Sequence, residues 1–333
     1  MRTKRFQNHI TSGRWTLPAA VLISTLCWLL AAFLLPDSGV RASSSSPLRD
    51  AFGSLGIPAW GERLFSYLLY SGIGYLLVQL NNMFAIIRMR ASVQTSLYFL
   101  LVAACPALHT HYADGVSAAA LLASFFFLFK SYQQPRPEAN LFHAFVFIGL
   151  GSLFFPQLTL LAPLFWIGAY NFRSLHPRSF FASLIGWCLP YCFLLGYAYC
   201  SGQMELFHRP FGELIRFEPV QWSDFEPWML ASIGYLLMLF AVSATHCFLA
   251  SYEDKIRTRS YLNFLILTIF CMFVGIGLQP ALAQPLLALL LPGIGILAGH
   301  LFVLTGSRAS NLFFIASLAG LFLLFLFNVW TLL

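Results

Sequence analysis

The stretch "GSLFFPQLTLLAP", residues 151–163, lies in an apolar run with no charged residue between Glu138 and Arg173. Read as one straight helix, residues 141–172 would measure about 48 Å, against a hydrocarbon core of ~30 Å. Pro156 lacks a backbone N–H and disfavours helix in the residue before it, which predicts a break at 155–157. The break decides which side of a membrane every later loop faces. With a hairpin here and the N-terminus in the cytoplasm, the inside segments hold 14 of the 19 Lys and Arg residues and the outside segments hold 5. With a single span the counts become 10 and 9, and the positive-inside bias disappears. The stretch therefore reads as an outer turn between two spans, and the topology as N-in, C-out.

The rest of the chain agrees with a lipid environment. Its 333 residues are 59% hydrophobic and 9% charged, whereas an ordinary soluble domain carries about 25% charged residues. Apolar runs of spanning length recur at 15–35, 64–84, 94–110, 115–131, 139–155, 157–173, 179–199, 228–250, 261–279, 283–304 and 309–331. Backbone groups in hydrocarbon must bond within their own segment or in a closed barrel, and the ten-residue alternation of a barrel is missing. The expectation is an all-α polytopic transmembrane helix bundle of about eleven spans, forming one integral membrane domain over 1–333. The first run is too long for a signal-peptide h-region and reads as an uncleaved span. The net charge of +7 comes from short basic loops and no long cluster, so no nucleic-acid partner is expected.

Two outer loops are longer than turns require. In 36–63, Leu48, Phe52 and Leu55 recur at spacings that suit a short interfacial helix. In 201–227, Phe207, Phe211, Leu214 and Ile215 line one face of another, with Pro210 limiting its length.

Several residues are candidates for chemistry. Asp37 and Asp50, in the first outer loop, are candidate catalytic carboxylates, as general bases or metal ligands. "HTHYAD" brings His109, His111 and Asp114 into one turn, a donor set for a divalent metal. Asn81 and Asn82, followed by Arg88 and Arg90, form a candidate substrate or headgroup site at the inner end of the second span. His143, His246 and His300 all fall near inner span ends. The seven cysteines form no C-x-x-C pair and read as small packing residues. "GIGILAG" at 293–299 reads as close helix packing beside Pro292. Walker, G-x-S-x-G, H-E-x-x-H and dinucleotide signatures do not occur.

The segments "SSPLRDAFGSLG", "LNNMFAIIRMRASVQTSLYFLL" and "NLFHAFVFIGLGSLFFPQLTLLAPLFWIGAYNFRSLHPRSFFASLIGWCLPY" resemble a family of multi-spanning inner-membrane proteins of the Bacteroidota that carries a domain of unknown function. The N-in start, the long first outer loop and its early acidic residues are similar, at the level of architecture, to C-type membrane glycosyltransferases. That second resemblance implies Asp37 or Asp50 as the acidic residue of the outer site.

Three functions follow as expectations. The first is an inner-membrane envelope enzyme acting on a lipid-linked, glycan-type substrate at the outer face. The others are a non-catalytic scaffold that partners other membrane proteins and a transporter that is not proton-coupled. An outer cavity lined by basic and aromatic groups favours the enzyme. Cysteines engineered into 173–178 and 201–227 should label from opposite sides of the membrane, and labelling of both from one side would overturn the topology.

Overall fold

The computed structural model describes residues 6–11, 13–35, 58–87, 92–215, 225–250, 252 and 254–333. Asp37, Asp50, Arg88, Arg90 and the interfacial helix expected around Phe52 lie outside these residues. The described elements are helices throughout, which makes the chain an all-α, multi-pass membrane bundle. In order they are α1 (Phe6–Thr11), α2 (Thr16–Leu34), α3 (Ala59–Phe84), α4 (Ser92–Ala103), α5 (Tyr112–Lys130), α6 (Glu138–Ser152) and α7 (Ala162–Asn171). Then come α8 (Pro177–Cys200), α9 (Glu205–Ile215), α10 (Pro227–Leu249), α11 (Ile256–Leu278), α12 (Ala283–Leu304) and α13 (Arg308–Leu332).

Seven of these helices are long and apolar enough to cross a membrane, where the sequence predicted about eleven. The four that differ are α3, α4, α6 and α7. Three of them are short because proline spends part of the apolar run on a 3-10 turn. Pro106–Thr110 follows α4, Pro156–Leu161 separates α6 from α7, and Pro280–Leu282 plays the same role ahead of α12. Each turn opens on proline, with a non-helical residue before it. The break at 155–157 is therefore real, but its arms are short. The 15 residues of α6 and 10 of α7 rise about 22 Å and 15 Å, less than a hydrocarbon core. Protein covers α4 instead. Of the 12 residues of α4, 10 are buried, and irregular backbone at membrane depth is tolerated where protein surrounds it. The fourth, α3, has 26 residues, but its tyrosines, serines and amides dilute its apolar character.

The centre of the bundle is α12, with 20 of its 22 residues buried. It packs on α4, α5, α10 and α11. A Cβ on Gly299 would lie 2.9 Å from Gln94 Cα, and one on Gly295 would lie 3.3 Å from the Gln94 carbonyl oxygen, so "GIGILAG" does pack backbone to backbone. The outer surface is apolar, with Phe33 87% and Phe193 73% exposed, as lipid-facing helices require. Cys188, Cys192 and Cys200 lie on this surface rather than in the packed interior.

Contacts pair the loop segments end by end. At one end, Gln284 Nε2 lies 3.5 Å from Asp114 Oδ2, Phe65 meets Tyr112, and Asn328 Nδ2 donates to the Ala104 carbonyl at 2.7 Å. The 155–157 turn meets α9 there, with Gln157 Nε2 donating to the Glu213 carbonyl at 3.3 Å. Phe207 and Phe211 of α9 pack on Tyr191, Leu153 and Leu194. Pro210 does not end this helix, which runs on to an exposed Ile215. At the other end, Gln7 Nε2 donates to the carbonyls of Phe302 and Thr305, and the Gln133 N–H to that of Phe172.

The tightest helix pair is α6 with α8. A Cβ on Gly186 would collide with the Phe142 carbonyl oxygen, and one on Gly149 would lie 2.8 Å from that of Trp187. Gly186→Ala should lower stability by about 1–3 kcal/mol through overpacking. Gly196→Ala, on the same helix with no atom within 4 Å of the added Cβ, should leave it unchanged. Thermal unfolding in detergent tests the pair, and equal melting points would exclude the close approach.

Candidate functional site

On α2, Ala20, Ser24, Trp28 and Ala31 recur at helical spacing and form the buried stripe. The remaining faces of α2 are largely exposed. On α3, Trp60, Arg63 and Tyr67 recur at spacings of three and four and so share one face. The two helices leave a groove of about 580 Å³ between them. Thr25, Trp28 and Phe33 line one side, and Trp60, Arg63 and Tyr67 line the other. Trp60 is 71% exposed, so the groove opens outward from the bundle.

Arg63 anchors the polar end of the groove. Its guanidinium donates to the Ala32 carbonyl at 2.7 Å and the Leu35 carbonyl at 3.3 Å. These are last-turn carbonyls that the helix itself leaves without partners. A guanidinium there meets the negative end of the α2 dipole. Thr25 Oγ1 and Tyr67 OH, 2.8 Å apart, bridge the groove deeper in.

Trp28 is the wall between the groove and a buried polar layer. One edge meets Tyr67 at a 5.4 Å ring distance, and its face stacks on His109 at 3.7 Å and 12°. His109, His111 and Asp114 are 3%, 8% and 5% exposed. The "HTHYAD" segment is thus folded inward rather than forming an open turn, because the 106–110 turn lies beneath Trp28. His109 Nε2–H donates to the Val102 carbonyl at 3.1 Å, while Asp114 sits in the first turn of α5 facing Gln284.

Among the described residues, one group of three potential ligand atoms gathers at another place. His246, Cys247 and His300 offer donor atoms within 4.8 Å of one another, a geometry that fits a divalent metal. Of the three histidines near inner span ends, two meet. His143 is exposed on α6 and stacks on Phe127. Asn81 is structural: its Oδ1 accepts from the Ile87 N–H at 2.8 Å, and its carbonyl accepts from Ala85, which has a φ of 47°. Asn82 is exposed at the same helix end.

Sequence reasoning counted Arg63 only as a topology residue. Its signal was an arginine flanked by Trp60 and Tyr67 on one helix face, three and four residues away. The facing stripe on α2 belongs to another helix, and that adjacency had no local signature.

No protein-family profile and no curated protein sequence matches the chain. Its fold is similar to that of ArnT from Cupriavidus metallidurans, solved bound to undecaprenyl phosphate, with a TM-score of 0.54 and 17% identity. The similarity covers 92% of this chain and 64% of the ArnT chain, so this chain spans just under two thirds of that protein's length. At this identity the likeness is one of fold.

Proposed function

We propose that the chain is an inner-membrane envelope enzyme, oriented N-in and C-out, that acts on a lipid-linked substrate at the outer face. The observation that carries this reading is the groove between α2 and α3, apolar along its length and closed at one end by Arg63. Such a groove suits an isoprenoid tail on the Trp and Tyr rings with its phosphate at the guanidinium. The fold shared with a protein solved on undecaprenyl phosphate supports a polyprenyl phosphate as the lipid.

Asp37 follows Leu35 by two residues in the chain, and Arg63 holds the Leu35 carbonyl. Asp37, with Asp50 in the same loop, is the proposed base or metal ligand for transfer at the phosphate end. This is the role that the resemblance to C-type glycosyltransferases implies. Arg63 would hold the phosphate while the carboxylate deprotonates the attacking group. The orientation rests on the uneven distribution of Lys and Arg between the two ends of the bundle. Arg88 and Arg90, with Asn82, are the proposed contact with anionic headgroups of the inner leaflet. The densely buried α12 supports an enzyme over a transporter, because the bundle centre is filled by side chains.

The test is retention of undecaprenyl phosphate by the purified protein in detergent, with lipid profiling of a deletion strain. Arg63→Gln should weaken retention about tenfold or more, consistent with loss of a charge-assisted hydrogen bond, and Arg63→Lys should retain part of it. Asp37→Asn should preserve lipid retention while a lipid-linked intermediate accumulates in cells. Wild type that retains no polyprenyl phosphate, in a strain whose deletion leaves the lipid-linked pool unchanged, would overturn the reading.

A further inference from the structure

The cluster of His246, Cys247, His300 and Asp254 lies at the opposite end of the bundle from the groove. His300 stands 16 residues along α12 from Gln284, which reaches Asp114, so about 24 Å of helix separates the two levels. Nothing in the proposed reaction uses this cluster. His300 is fully buried, and Cys247 and Asp254 are 5% and 7% exposed. His246 and Cys247 come from the last turns of α10, Asp254 from the connection that follows, and His300 from α12.

The arrangement is directional. The Asp254 carboxylate lies 3.1 Å from His300 Nε2, a charge contact that favours the proton on that nitrogen. His300 Nδ1 lies 3.7 Å from Cys247 Sγ. A carboxylate on the outer nitrogen of a histidine is the support that metal-ligating imidazoles use, since it sets the tautomer and raises ligand basicity. Zinc bonds of ~2.3 Å to sulfur and ~2.05 Å to nitrogen at the tetrahedral angle place S and N about 3.6 Å apart. The Cys247–His300 separation of 3.7 Å is close to that value, and one donor atom from each of His246, Cys247 and His300 lies within 4.8 Å of the others.

We infer that His246, Cys247 and His300 form a zinc centre that ties the end of α10 to α12, with Asp254 orienting His300 from outside the coordination shell. Two neutral imidazoles and one thiolate are borderline-soft donors that suit Zn²⁺. Charge also favours it. One thiolate and one carboxylate balance a divalent ion, leaving the buried site neutral, whereas a monovalent ion would leave a net negative charge there. Binding releases the Cys247 thiol proton to solvent as the Zn–S bond forms. A solvent molecule completes the fourth position. The centre fastens two helices that meet only through tertiary packing and is independent of lipid turnover at the other end.

Elemental analysis of the full chain, purified in detergent without chelator, should find about one zinc per chain. Titration of metal-free protein with Co²⁺ should produce a thiolate-to-metal charge-transfer band in the near ultraviolet, absent in Cys247→Ser. His300→Gln should lose the metal. Asp254→Asn should keep the ligands but bind ~10–100-fold more weakly. Folding of each variant is checked by helical circular dichroism and elution as a single species, and the wild-type measurements stand without any variant. Folded wild type with neither zinc nor a cobalt–thiolate band would overturn the inference. So would full zinc retention by Cys247→Ser, or copper found in place of zinc.

Discussion

A backbone N–H or C=O left without a partner in hydrocarbon costs several kcal/mol, and the whole bundle is arranged around that constraint. Continuous helices meet it internally. The interrupted ones need help from elsewhere, and buried amide side chains supply much of it. Gln94 ties α4 to the interior of α3 through the Leu77 carbonyl at 2.7 Å, and Gln7 reaches the last carbonyls of α12. Asn328 bonds to Ala104 at the end of α4, and Gln157 ties the 155–157 turn to α9. Each joins segments distant in sequence by spending a side-chain donor on a backbone acceptor. Arg63 does the same for the end of α2.

Close helix approach is the complement of these bonds. Glycines let α12 lie against Gln94 and let α6 lie against α8, and the short α4 is enclosed by protein rather than lipid. With the interior filled in this way, the groove lies at the edge, where α2 offers only one stripe to the bundle and leaves its other faces outward. Two candidate regions result, at opposite ends of the molecule. One is an open, aromatic groove with a cation at its polar limit. The other is a closed set of nitrogen, sulfur and carboxylate donors.

Much of the architecture was legible. The all-helical membrane class followed from composition. Pro156 marked the break between α6 and α7. The span count was not legible, because an apolar run looks the same whether its residues continue a helix or enter a proline-opened 3-10 turn. The burial of His109, His111 and Asp114 was hidden for a related reason. Polar residues in a turn read as solvated unless the neighbour that covers them, here Trp28, is known. Within the site, Trp60 and Arg63 were read as part of the outer loop 36–63, and neither their shared helix face with Tyr67 nor the opposing face of α2 was recognised.

By itself the sequence determined the properties that act over a few residues: apolar helices, proline-marked turns, and the uneven spread of charge among the loops. The tertiary structure decided which helices cross, which are enclosed, and which side chains meet. His246 and His300 show the difference most plainly. Fifty-four positions separate them in the chain, and either alone is an ordinary histidine near a helix end. Helical periodicity places a side chain on a face, but only the packing of α10 against α12 brings those two faces to within bonding distance of one ion.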